Sequence, residues 1–229
     1  MTPPTFLTYD FGGQSEFCLC FGERHAARRI IIIPPVFDEM NRTRQMLVEV
    51  MRTLAGRGIC SLLPDLPGFN ESLANISKQT VGTWRQALEE AAVQLNPTHI
   101  VSLRGGTLID DVADRPILRL APVKGASLLK TMLRSRLLAD KEAGINSTIE
   151  GLMASAESGF LELSGYNLSD EMLQSIQDAA PSTSCQFQEI ALADIDGTPL
   201  WLRAEPQDDA RMSAAFADKL DVWSATCAK

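Results

Sequence analysis

Ile30-Ile31-Ile32-Ile33 is a run of four β-branched residues that stops at Pro34-Pro35. Such side chains are stiff at χ1 and pack well on a pleated surface. With no polar alternation, the run has no face to turn to water. It predicts a central strand buried on both sides, which occurs where helices cover both faces of a largely parallel sheet. The prolines end it, because neither can donate to a ladder.

Other segments supply what this strand needs. Ile59-Cys60-Ser61-Leu62-Leu63, the segment 99–103 and Pro116-Ile117-Leu118-Arg119-Leu120 read as further strands. Met46, Leu47, Val50, Met51 and Leu54 stripe a helix at about 42–56, closed by Gly58. Val81, Trp84, Leu88, Ala92 and Leu95 stripe another at about 80–95. Residues 5–9 and 16–21, joined by Gly12-Gly13, predict an antiparallel edge. Residues 124–157 read as helical and irregular, and a strand at 160–163 follows. Then come a helix capped by Ser169, a strand from Phe187 to Leu192 and a last helix at about 207–223. Strand and helix alternate across short loops. The expected architecture is α/β, a doubly wound and mostly parallel sheet. One domain over residues 1–229 is expected, with a helical excursion at about 124–157.

Composition narrows the function classes. Hydrophobic residues make up 45% of the 229, enough for a sizeable core. A net charge of −8 argues against nucleic acid as a partner, since that needs a basic face. The five cysteines (Cys18, Cys20, Cys60, Cys185 and Cys227) are odd in number and mostly apolar in context. They read as reduced thiols of a reducing, cytoplasmic compartment. No apolar stretch approaches the ~20 residues of a transmembrane helix. The segment Met1-Thr2-Pro3-Pro4 lacks the features of a secretory signal. No metal or cofactor is expected, because His25 and His99 are far apart and lack ligand spacing.

Ser102-Leu103-Arg104-Gly105-Gly106 follows a buried strand and fits the small-x-nucleophile-x-small turn of an α/β-hydrolase, the nucleophile elbow. The nucleophile slot then falls on Arg104. A guanidinium stays protonated and cannot attack a carbonyl. A serine triad also needs a histidine after the last core strands. Both histidines precede Arg104.

Several blocks, in order from residue 34 to about 170, are similar to the exosortase A system-associated hydrolases, type 2. Pro34-Pro35-Val36-Phe37-Asp38-Glu39-Met40-Asn41-Arg42-Thr43-Arg44 carries the most specific likeness. Leu63-Pro64-Asp65-Leu66-Pro67-Gly68-Phe69-Asn70-Glu71-Ser72, the elbow, Leu120-Ala121-Pro122-Val123-Lys124-Gly125, Leu133-Arg134-Ser135-Arg136-Leu137 and Ser164-Gly165-Tyr166-Asn167-Leu168-Ser169 add to it. The chain departs at Asn70, at Glu71 and in lacking a Trp before its Pro-Val pair. The resemblance implies an α/β-hydrolase fold with a short helical lid and a bacterial setting. It also implies loci for exopolysaccharide and PEP-CTERM protein sorting, and an elbow arginine as a family trait.

Polar groups at the carboxyl ends of parallel strands lie where ligands bind in such sheets. Arg104 and Gly105 of the elbow, with Phe37, Asp38, Glu39, Asn41 and Arg42 of the loop at 36–44, are therefore the candidate pocket. An ion pair of Arg104 with Glu39 or Asp38 locks loop to elbow on one reading. On the other, Arg104 grips a carboxylate or phosphate. Ser102 reads as a small packing residue, Asp110-Asp111 as a solvated acidic pair, and Asp65 as a turn former. Asp194 and Asp196 stand where a catalytic histidine would follow. Leu128, Leu129, Met132, Leu133, Leu137 and Leu138 form an apolar side of the excursion. Lys130, Arg134, Arg136 and Lys141 form a basic one. A lid packed on the core is expected, with peripheral membrane contact through 124–141 as the alternative. Three functions stay open: a silent or non-standard site, an ester or thioester hydrolase of unrecognised mechanism, and a module that binds an anionic, acyl or saccharide ligand or a partner through Arg104.

Overall fold

A computed structural model describes residues 3–157, 159–203, 205 and 209–227. The isoleucine run forms β3 (Arg29–Ile33) at the centre of a seven-stranded sheet. Ile31 and Ile33 enter one core and Ile30 and Ile32 the other, so every residue of the run is fully buried. The other strands are β1 (Thr5–Phe11), β2 (Gln14–Phe21), β4 (Cys60–Pro64), β5 (His99–Leu103), β6 (Ile117–Leu120) and β9 (Phe187–Ile190). Their order is β1-β2-β4-β3-β5-β6-β9. The β1–β2 and β2–β4 pairs are antiparallel; β4, β3, β5, β6 and β9 run parallel. Cys18 and Cys20 share a buried face of β2, and among the described residues all five cysteines are free.

Helices cover both faces. α1 (Asp38–Gly56) and α6 (Ala210–Thr226) pack together over Ile30 and Ile32. The first positions expected for α6, 207 and 208, lie outside the described residues. α2 (Val81–Leu95) lies on the opposite face, begun by Thr80, whose side chain and that of Thr83 cap each other's backbone N–H.

Between β6 and β9 the chain makes its excursion through α3 (Gly125–Glu142), α4 (Ile149–Glu157), a hairpin and α5 (Asp170–Asp178). Ser169 caps α5 as expected, accepting from Met172 N–H. The strand expected at 160–163 does not join the main sheet. As β7 (Leu161–Leu163) it pairs, among the described residues, only with β8 (Tyr166–Leu168). Ser164 and Gly165 both take positive φ, 52° and 83°, the two-residue turn that closes a hairpin on itself. Leu128, Leu129, Met132 and Leu133 pack the excursion onto the core. Leu138, expected with them, is 59% exposed. No helix among the described residues is long and apolar enough to cross a membrane.

Candidate functional site

β3 has β4 on one side and β5 on the other, so the connections leaving β3 and β5 part in opposite directions. That switch point is where doubly wound sheets hold ligands. Phe37 leaves β3 at φ 60°, ψ −139° and turns the chain straight into α1 at Asp38. The apolar periodicity places the helix start at about 42 instead, because the first turn is polar. Asp38, Glu39, Asn41 and Arg42 therefore belong to α1 and not to a loop. Its two carboxylates lie at the positive end of the helix dipole.

Across the crevice, Arg104 leaves β5 at φ 50°, a left-handed conformation that costs any residue with a Cβ. The two glycines after it allow the turn. A Cβ on Gly106 would stand 2.4 Å from the Pro34 carbonyl oxygen and 2.6 Å from that of Ile33. One on Gly105 would stand 2.6 Å from Val36 Cγ2. Gly106→Ala must force the elbow away from backbone, so a loss of roughly 2 kcal/mol is expected, read as a lower urea midpoint at unchanged m-value.

The elbow arginine is fully engaged. Its Nε donates to Glu39 Oε2 at 3.1 Å and its Nη2 to Oε1 at 2.9 Å, a bidentate fork. Nη1 leans toward the Ala121 carbonyl at 3.4 Å, and the guanidinium lies 4.5 Å over the Trp201 ring. Of the two expected partners, Glu39 takes the arginine. Asp38 pairs with Arg42 at 2.9 Å, and Arg42 also donates to the Trp201 carbonyl. Asn41 stands beside Tyr166, whose hydroxyl is held above its ordinary pKa by burial. The Glu39 side chain is 6% exposed and that of Arg104 17%. Burial holds the Glu39 carboxyl above the usual range, outweighing the pull of Arg104 the other way.

Beneath this rim the apolar side chains close together. Val36, Phe37, Val81, Trp84, Gly105, Leu108, Ile109, Leu128 and Ile176 enclose no space large enough for a water molecule. Phe37 packs edge-on against Phe69, Trp84 and Tyr166, with ring centroids 5.6–5.7 Å apart.

Instead of a helix, the elbow leads into a short 3₁₀ turn, Arg104–Ile109, ending at Asp110. Asp110 is not solvated, contrary to expectation. It is fully buried and accepts from Arg119 Nε and Nη2, both at 2.7 Å, and from Ser102 Oγ at 2.6 Å. Ser102 and Arg119 are register partners on β5 and β6, so both side chains face one carboxylate. Ser102 thus does more than fill space. Asp111, also expected in solvent, pairs with Arg85.

The remaining titratable candidates take other positions. His25 is exposed before β3 begins, at the end of the sheet away from the elbow. His99 opens β5, roughly 13 Å of strand from its elbow end. It is buried against Trp223, where desolvation, helped by Arg28, holds its pKa below the ordinary value. A buried neutral imidazole loses its favourable folded state as pH falls. Stability should therefore drop below about pH 6.5, the unfolded histidine pKa, and His99→Gln should blunt that drop in a thermal-melt series. Asp65 accepts from Asn70 and from Glu71 N–H, the local role expected. Asp194 accepts from Ala191 N–H, and Asp196 takes positive φ at the end of the 3₁₀ turn Leu192–Ile195. Neither aspartate reaches the elbow by any hydrogen bond or ion pair among the described residues. From that stretch the residue that does reach it is Trp201. Its one signal in the sequence is a lone aromatic after the last core strand.

No family model and no curated protein sequence matches the chain. Solved structures do match. Est1E from Butyrivibrio proteoclasticus, determined with ferulic acid bound, aligns at TM-score 0.59 and 13% identity over 96% of this chain and 98% of its own. A thermophilic esterase from Thermogutta terrifontis, malate bound, aligns at TM-score 0.56 and 12% identity over 99% of this chain and 100% of its own. The chain has an α/β-hydrolase fold. Identity this low carries the fold and no activity.

Proposed function

We propose that this protein is a non-hydrolytic α/β-hydrolase-fold binding protein. By the resemblance of its sequence blocks, it serves exopolysaccharide and PEP-CTERM sorting loci. The observation that carries this reading is the bidentate Arg104–Glu39 pair at the nucleophile position of a strained elbow. An arginine there attacks nothing, and Glu39 fills the fork that an anionic ligand would need. The closed apolar space beneath it leaves no acyl pocket. An anionic, acyl or saccharide partner would meet the rim, not the interior.

Fluorophosphonate labelling and a screen of esters and thioesters test the reading, on the wild type and on Arg104→Ser. Neither protein is expected to label or turn over substrate, because neither histidine stands near the elbow. Turnover by the wild type would sink the proposal and favour a hydrolase of another mechanism. Displacement of Glu39 by an anionic ligand would appear as an affinity that Arg104→Ala abolishes; a pair that only locks α1 to the elbow gives no such affinity.

A further inference from the structure

α3 turns its apolar side inward, so it cannot lie on a bilayer as an ordinary amphipathic helix does. Its outer face carries a different signal. At 100° per residue, Lys130, Arg134, Leu138 and Lys141 fall within an arc of about 80°. Lys130, Arg134, Leu138 and Lys141 are all exposed. Just beyond the helix end, Ile145 is 55% exposed and Ile149, at the start of α4, 36%. Gly144 at φ 78° and the Ile145 N–H to Asp140 carbonyl bond fix this turn against the helix.

Charge singles the segment out. Residues 124–150 hold five basic and three acidic groups, a surplus of two in a chain of net −8, which leaves −10 for the remainder. Asp140 is buried on Arg136 and Ser147, so the exposed acidic groups are Glu142 and Glu150, against Lys124, Lys130, Arg134 and Lys141. A basic stripe interleaved with protruding aliphatic side chains, on an otherwise acidic protein, is complementary to one kind of surface. We propose that the outer face of α3 and the turn into α4 dock on an anionic lipid surface, with the basic groups at the headgroups and Leu138, Ile145 and Ile149 dipping below them. The acidic remainder is repelled and faces away, which orients the elbow rim relative to the membrane. This docking does not depend on whether the elbow catalyses.

Co-sedimentation of the full chain with phosphatidylglycerol vesicles, against phosphatidylcholine vesicles, tests it. Binding is expected to the anionic vesicles alone and to fade with salt. Each basic residue removed should weaken partition about fivefold, as a charge near such a surface does, and each one reversed by more. Lys130→Glu/Arg134→Glu/Lys141→Glu should therefore abolish measurable binding. Leu138→Ser/Ile145→Ser should weaken binding while leaving its salt dependence intact. Unchanged circular dichroism melts confirm that these exposed variants fold. No binding at low salt overturns the proposal. So does equal binding to both vesicle types, or binding indifferent to the charge reversal. Capture of an acidic protein without vesicle binding overturns it in favour of a protein partner.

Discussion

Asp110→Ala should cost about 3–5 kcal/mol, because it leaves a guanidinium buried without its counter-charge. For a domain this size that corresponds to roughly 6–20 °C in the thermal midpoint. The basis is the depth of the pair: the side chains of Asp110 and Arg119 are 0% and 1% exposed. Arg119 also donates to the Ser182 carbonyl and lies 4.1 Å over Phe187, but neither contact neutralises it. Removing both charges has a different outcome. Asp110→Leu/Arg119→Met loses the desolvation cost of two ions along with their attraction, and such replacements are often neutral. Ser102 Oγ then lacks its acceptor, so recovery stays incomplete by about 1–3 kcal/mol unless Ser102→Ala is added. A double-mutant cycle read by urea unfolding should give a coupling of at least about 1 kcal/mol. Additive losses would show that the pair is not energetically linked.

How far the sequence reveals this protein follows from what kind of signal each part leaves. Strands buried on both faces write themselves as continuous apolar runs, so β3, β4, β5 and β6 were legible. Helices facing one core write a stripe, so α2 was legible almost to the residue. The first turn of α1 was not, because its side chains serve the rim and carry no apolar period. The strand at 160–163 is legible as a strand but its partner is not, because two left-handed residues at Ser164 and Gly165 fold the chain back onto it. The Asp110 network did leave a trace: Arg119 sits inside Ile117-Leu118-Arg119-Leu120, and a charge in a fully buried strand demands a buried partner. Nothing in sequence spacing says which acid that is, since the 3₁₀ turn after β5 brings it there. Trp201 over Arg104 is equally silent in sequence, a contact between residues nearly a hundred positions apart. Both are legible only once the order of strands is known.

Arg104→Ala should cost about 3 kcal/mol at neutral pH, the low end for breaking a buried pair, because the arginine itself is partly exposed. The two partners are unequal, and that gives a second expectation. Arg104 can turn toward water when Glu39 is changed; Glu39, nearly closed off, cannot when Arg104 is removed. Glu39→Gln should thus cost only about 1 kcal/mol, the net worth of an ordinary hydrogen bond. The pH dependence follows from the direction of the Glu39 shift. Its folded-state pKa already lies above the unfolded value, so ionising it in the fold disfavours folding, and stability from this group is lost as pH rises through the folded pKa. Without the guanidinium that pKa climbs further. The deficit of Arg104→Ala relative to wild type should then be largest near neutrality and shrink as acid protonates Glu39. In Glu39→Gln/Arg104→Ala the deficit should lose this pH dependence. A deficit that stays constant from pH 7 down to pH 4 would mean that Arg104 braces α1 to the elbow through Trp201 and Ala121 rather than through Glu39.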